Sequence, residues 1–270
     1  MADPSATIVW HATDAYEAYM GRWSRPLAEA FHAWFAVPTG SCWLDVGCGT
    51  GASTEAVLDA TNPVAVVGID SSPDFLSVAQ TRIADPRARF AVGDARALPV
   101  ASDSYDAVVA GLVLHFIPDP APAVAEMVRV TRPGGAVGAY VWDYHGTMQR
   151  QQYFWAAAMA LDAQAAALDP RPHMHTCEPE PLADLFRGAG LDDVAVDAID
   201  LPLVFRDLDE FWLPHTMAGP AAPQRYVSGL DAERKAALRE RLRATLPIAA
   251  DGSLHLIDRA WAVRGTKPTA

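Results

Sequence analysis

From Ser41 onward, short apolar runs alternate with stretches whose apolar residues recur at helical spacing. The runs Cys42–Val46, Val64–Ile69, Ala88–Val92, Tyr105–Leu112 and Ala136–Trp142 read as five strands. Between them, Ala52–Ala60, a stretch from Pro73 through Ala84, and Ala121–Val130 read as helices. Ser72 followed by Pro73 is a helix start, a side-chain acceptor followed by a residue whose φ is already helical. Arg132-Pro133-Gly134-Gly135 reads as the turn into the fifth strand. The strands are continuously apolar rather than alternating, so both of their faces must be covered. Together with the intervening helices this predicts an α/β chain with a parallel sheet between helical layers.

The flanks follow other patterns. Asp14–Met20, carrying Tyr16 and Tyr19, predicts a short helix broken at Gly21. Ser24 is placed to cap a second helix with Pro26 in its first turn, and Leu27, Ala30, Phe31, Trp34 and Phe35 form its apolar stripe. After Trp142 the alternation pauses. A loop over 143–147 precedes an Ala-rich helix Gln149–Leu168, and 169–175 is a connector. Leu182–Gly190 reads as a helix, Val194–Leu203 as a strand, Leu208–Met217 as a helix and 219–223 as a loop. Leu238, Leu242 and Leu246 mark an amphipathic helix over Leu230–Leu246, and Leu254–Val263 is a closing strand. The expected organisation is an N-terminal helical cap (1–40), an alternating core (41–142), and lid helices plus two strands completing the same domain (143–270).

Composition narrows the partners. The chain has 270 residues, 51% of them hydrophobic and 20% charged, ordinary globular material with ample core. A net charge of −12 without a Lys/Arg stripe argues against nucleic acid and against an anionic membrane surface. Cys42, Cys48 and Cys177 show neither metal-ligand spacing nor a disulfide framework. Met1–Val9 lacks the pattern of a signal peptide, and no apolar run reaches membrane-spanning length. A cytoplasmic protein, monomer or homodimer, is the expectation.

The chemistry concentrates at the strand ends. Trp43–Val46 runs into Gly47-Cys48-Gly49-Thr50-Gly51, glycine at every second position, and then a helix. Such a loop lets a ligand approach the backbone and aims free helix N–H groups at the crevice. Three acids, Asp45, Asp70 and Asp94, close three successive strands. An acid ending the second strand suits a ribose diol, and one ending the third suits an adenine amine. Asp45 beside the loop favours a cation and repels phosphate, and no Lys or Arg follows the loop. The later glycine of a dinucleotide fingerprint and the Gly-Lys-Ser/Thr of a P-loop are both missing. These features describe an adenosine bearing an ammonium and a positive centre, with no pyrophosphate.

These residues resemble the class I S-adenosylmethionine-dependent methyltransferases, small-molecule branch, like the ubiquinone/menaquinone C-methyltransferases. The resemblance runs through Leu44–Gly51, Gly68-Ile69-Asp70, Gly93-Asp94-Ala95, Tyr105-Asp106 and Arg132–Gly135. It implies a Rossmann-like seven-stranded sheet in the order 3-2-1-4-5-7-6, strand seven antiparallel, with helices on both faces and a helical lid. It implies S-adenosylmethionine as cofactor and methyl transfer to the O, C or N of a small-molecule acceptor. Gly47, Gly49 and Gly51, with Cys48 among them, would pack against the methionine part, and Asp45 would reach its ammonium. Asp70, next to Ser71, would hold the ribose. Asp94 and Ala95, next to Gly93, would hold the adenine. Gly111 and Leu112 would offer backbone contacts near the transferring methyl. Tyr19, Arg22 and Trp23 match a segment that closes over the cofactor, with Arg22 on its carboxylate.

A base is needed only where the acceptor must lose a proton. His115 after strand four and Asp143, Tyr144 and His145 after strand five are the candidates; His173, His175 and His215 lie in lid segments. His173 and His175 lack a third metal ligand at recognisable spacing and read as a surface turn, so no metal is expected. Tyr153, Phe154, Trp155, Phe205, Phe211 and Trp212 are candidates for an acceptor wall. The competing readings are an NAD(P)-type oxidoreductase on the same sheet and an S-adenosylmethionine-binding protein without catalysis.

Overall fold

The apolar runs form one seven-stranded sheet in a computed structural model that describes residues 17–219 and 221–269. In chain order the elements are α1 (Arg22–Phe35), β1 (Cys42–Val46), α2 (Ala52–Thr61), β2 (Ala65–Asp70), α3 (Pro73–Arg82), β3 (Ala88–Val92), β4 (Tyr105–Gly111), α4 (Ala121–Val130) and β5 (Thr131–Trp142). They continue with α5 (Gln149–Leu161), α6 (Pro179–Gly188), β6 (Asp192–Phe205), α7 (Leu208–Thr216), α8 (Ala222–Ser228), α9 (Ala232–Thr245) and β7 (Leu254–Thr266). The strand order is β3-β2-β1-β4-β5-β7-β6. The first five strands are parallel, and β7 runs antiparallel to both β5 and β6. Trp43, Leu44, Val66, Val108, Val109, Val137 and Val141 are buried in the sheet, as continuous apolar strands require.

Several local expectations are corrected. Residues Glu17–Gly21 form a π-helical turn that runs straight into α1, and Gly21 is itself helical at φ −58°. Ser24 therefore lies inside the helix, donating to the Met20 carbonyl (3.1 Å), instead of capping it. The buried face of α1 is Leu27, Ala28, Phe31 and Phe35, with Ala30 exposed and Trp34 half-buried. Ala30 sits roughly 100° round the helix from the centre of that face. The Ala-rich helix stops at Leu161, because Asp162 is extended and caps a separate 3-10 turn through Gln164 N–H. Part of the expected loop 219–223 opens α8, where proline is tolerated in the first turn. The Arg132–Gly135 turn is the bulged beginning of β5, with the register shift opposite Tyr105/Ala107. Asp14–Tyr16 of the expected first helix and Met1–Val9 lie outside the described residues.

Parallel strands put the carboxyl ends of β1, β2, β4 and β5 along one edge of the sheet. The long β6–β7 pair extends past that edge and carries α5, α7 and α8 over it. One ion pair is buried where these parts meet: Arg150 of α5 and Asp258 of β7, with side chains 2% and 0% exposed, at 3.0 Å. Among the described residues, no helix is long and apolar enough to cross a membrane.

Candidate functional site

Gly47, Gly49 and Gly51 adopt φ of +70°, +54° and +90°, a run of left-handed residues that only glycine makes without strain. A Cβ on Gly51 would stand 2.5 Å from Ile83 Cδ1, so this glycine also seats α2 against the end of α3. The amides of Gly47 and Cys48 donate to the Ile69 carbonyl (2.7 and 3.1 Å), tying the loop to β2. Asp70 completes the tie, its two oxygens accepting from Gly49 N–H (2.9 Å) and Ser72 N–H (2.8 Å). Burial raises its carboxyl above the usual range, and the backbone donors oppose this. Ser71 is exposed on the same turn, and the Cys48 side chain is buried over Gly68.

Asp45 is buried under the loop. Its Oδ2 accepts from Thr54 Oγ1 (2.7 Å), while Oδ1 is buried with no hydrogen-bond partner among the described residues. Burial pushes its pKa up to about 7. A buried carboxylate oxygen without a donor is costly, and an ammonium beside the loop is a group that satisfies it.

The end of β4 presses onto this loop. Gly111 has no room for a Cβ, which would overlap the Tyr140 hydroxyl. Leu112 follows in a left-handed conformation (φ +59°), rare for a branched residue, with its N–H on the Tyr140 carbonyl at 2.8 Å. Val113 then lays its side chain over Gly47. Leu112 also opens the wall of a cavity of about 620 Å³, its mouth included, between the strand ends and the lid. Phe116, Trp142, Tyr144, Tyr19, Met20 and Met174 form half of the remaining wall, with Gln151 and Arg225 among its polar members.

The structure distributes the other sequence candidates unevenly. Tyr19 lines the cavity, its hydroxyl accepting from Gln151 Nε2 (2.8 Å), and burial pushes its pKa up to about 12. Arg22 instead pairs with Glu210 (3.1 Å) and lies over the Trp23 ring at 4.2 Å, while Trp23 packs on Phe205. A clamp through Arg22 requires that ion pair to open. Asp94 is exposed and grips its neighbour Arg96 (2.8 Å), which holds its carboxyl below the usual range. The amide of Gly93 donates to the Asp70 carbonyl at 3.0 Å, and Ala95 is half-buried against the core.

His115 lies behind the cavity wall, its ring 4.1 Å from Phe116 and 5.6 Å from Tyr144. Neither ring nitrogen has a partner among the described residues, and burial pushes its pKa down to about 3. Asp143 does not face the crevice; it accepts from Gly146 and Thr147 N–H and closes a turn. His145 is exposed and leans on the Met174 carbonyl (3.1 Å). His215 is buried with Nδ1 at the Phe211 carbonyl (2.9 Å) and stacks on Phe154. His173 belongs to a short 3-10 turn, and the His175 side chain lies outside the described residues. Of the six aromatics expected in an acceptor wall, none lines the cavity; Phe154, Trp155, Phe205, Phe211 and Trp212 form lid core.

Sequence reading missed Met20, Arg150, Gln151, Arg225 and Asp258. One signal was available: Leu254, Leu256, Asp258, Ala260 and Ala262 all point inward along β7, so Asp258 is a charge at a core position.

The "Methyltransferase domain" family matches residues 44–138, the segment from the end of β1 into β5. The demethylmenaquinone methyltransferase of a Roseiflexus species is 31% identical over 168 residues, 58% of this chain and 71% of that protein. The chain belongs to the class I S-adenosylmethionine-dependent methyltransferases, ubiquinone/menaquinone type. A demethylmenaquinone methyltransferase of Renibacterium salmoninarum is 44% identical over 114 residues, which span 42% of this methyltransferase and 45% of the relative. The structure of Haemonchus contortus phosphoethanolamine N-methyltransferase 2 in complex with S-adenosyl-L-methionine shares the fold. It has TM-score 0.59 and 20% identity, and the match covers 94% of this methyltransferase and 56% of that chain.

Proposed function

We propose that this methyltransferase binds S-adenosylmethionine across the carboxyl ends of β1, β2 and β4 and methylates a small molecule held in the adjoining cavity. The observation that carries this reading is the buried, unpartnered Asp45 Oδ1 beside a left-handed glycine loop tied to Asp70. These residues fit the cofactor: Asp45 for the ammonium, the glycine backbone for the methionine chain, and the free lone pairs of Asp70 for the ribose hydroxyls. When bound, the cofactor supplies an electrophilic methyl group on a sulfonium with a neutral leaving group.

The chain's task is then alignment and exclusion of water. Leu112 borders both the region over Gly47 and the acceptor cavity, so the two ligands meet at the end of β4. The apolar walls suit an aromatic or quinone-like acceptor, and the names of the relatives point the same way. The titratable groups nearest the cavity, Tyr144 in its wall and His115 behind it, are a phenol that burial holds protonated and an imidazole whose pKa burial pushes down to about 3, so they position an acceptor rather than take its proton.

Calorimetry with S-adenosylmethionine tests the cofactor half. The parent protein is expected to bind in the micromolar class. Asp70→Ala is expected to lose at least about tenfold, the worth of hydrogen bonds to a charged acceptor. Equal affinity in the two proteins would sink the assignment. Turnover of labelled cofactor against a panel of aromatic acceptors tests the other half.

A further inference from the structure

The polar groups of the acceptor cavity share one property: each has a donor to offer. Gln151 fixes the pattern. Its Oε1 accepts from the indole N–H of Trp155 (2.9 Å), a group that only donates, so its Nε2 must face Tyr19. Tyr19 Oη therefore accepts from Gln151 and is left with its own O–H to donate. Tyr144 brings a second phenol to the wall. Burial holds both phenols above the usual range, so they stay protonated at neutral pH. The last polar member is Arg225 on α8, exposed and without a carboxylate partner among the described residues. Among the described residues, no Asp or Glu lines the cavity, although the chain carries 33 acids and a net charge of −12.

An apolar slot with donor groups inside and, in its lining, an exposed arginine without a carboxylate partner among the described residues complements a ligand that is apolar, offers acceptors and ends in negative charge. We infer that the acceptor of this methyltransferase is an aromatic oxyanion, a carboxylate or a phosphate ester, whose charge Arg225 takes up. This rests on the reading of the cavity as the acceptor site. The guanidinium is planar and matches either oxyanion through paired N–H donors. A neutral quinone-like molecule would leave that cation unused, so the inference narrows the acceptor class.

The test uses the full chain loaded with S-adenosylhomocysteine, and equilibrium dissociation constants for three probes: naphthoate, naphthyl phosphate and the neutral methyl naphthoate. At least one oxyanion is expected to bind about tenfold more tightly than the ester, the worth of one partly solvated charge-assisted pair. Which oxyanion binds better separates carboxylate from phosphate. Arg225→Gln is expected to abolish the preference and Arg225→Lys to restore part of it. Arg241→Gln removes the same charge from an exposed position on α9, outside the cavity wall, and is expected to keep the preference. The inference is overturned if the ester binds as well as both oxyanions, if none of the probes binds, or if Arg241→Gln and Arg225→Gln act alike. Binding of S-adenosylhomocysteine is measured alongside. Its absence refutes the methyltransferase reading itself, whereas intact binding without an oxyanion preference refutes only the inference.

Discussion

Asp258→Asn removes one charge from the buried pair that holds the N-terminal segment over the site. Arg150 donates through Nε to Asp258 Oδ2 (3.0 Å), and its backbone N–H donates to Oδ1 (3.1 Å). Its Nη1 donates to the Tyr19 carbonyl (2.7 Å), and Nη2 lies 3.4 Å from Met20 Sδ. With Asp258 neutral, the guanidinium keeps its charge at 2% exposure and no counter-charge. Breaking such a pair from one side costs about 3 kcal/mol or more, which for a chain of 270 residues lowers Tm by about 5 °C or more. Arg150→Met combined with Asp258→Leu removes both charges. It removes the hydrogen bonds of the Tyr19 carbonyl and of the Arg150 backbone N–H, at about 1–3 kcal/mol each, but leaves no unpaired buried charge, so the double variant should be more stable than the sum of the two single changes predicts. Denaturant unfolding of the parent, Arg150→Met, Asp258→Leu and the double variant gives the coupling, expected above about 1.5 kcal/mol. Strictly additive changes, or a cost below about 1 kcal/mol for Asp258→Asn, would refute the reasoning. The same singles should weaken S-adenosylmethionine binding, because Tyr19 and Met20 are held by Arg150.

Two further outcomes concern the site. Asp45 has its pKa pushed up to about 7 by burial, so in the free protein its contribution to stability is fully present below the unfolded value near 4 and is lost as pH rises through 7. An ammonium prefers the ionised carboxylate, so S-adenosylmethionine affinity should rise between pH 5 and 7 by up to about tenfold per unit and then level off. A titration in which Asp45→Asn shows the same slope would assign the pH dependence elsewhere. His115→Gln should slow methyl transfer while leaving calorimetric cofactor affinity intact; unchanged turnover would leave this histidine as packing behind Phe116.

The parts of the fold that were legible in advance rest on short-range physics. The strands of the first half, the glycine loop and the acids at the ends of β1, β2 and β3 all follow from periodicity and turn chemistry within a few residues. Boundaries shifted where tertiary pairing extended an element, as when β7 lengthened β6 beyond Leu203 and β5 began before Ala136. The Ala30 and Trp34 positions in α1 were misplaced because a stripe of apolar residues does not say where the centre of the buried face lies.

The sequence by itself determined the class of cofactor chemistry: a loop of left-handed glycines, an acid beneath it, an acid at the next strand end and no phosphate-binding cation. Only the tertiary structure decided what surrounds the cavity at the strand ends. Arg150 meets Asp258 across 108 residues of sequence and Tyr19 across 131, and Arg22 meets Glu210 across 188. Helices distant in the chain converge on one cavity, and Arg225 stands in its lining with no acid among the other described lining residues. Local propensity carries no information about such partners, because they are set by how separate elements pack once the sheet has formed. That is why the glycine loop and the strand-end acids could be read from the chain, and the cavity beside them had to be seen.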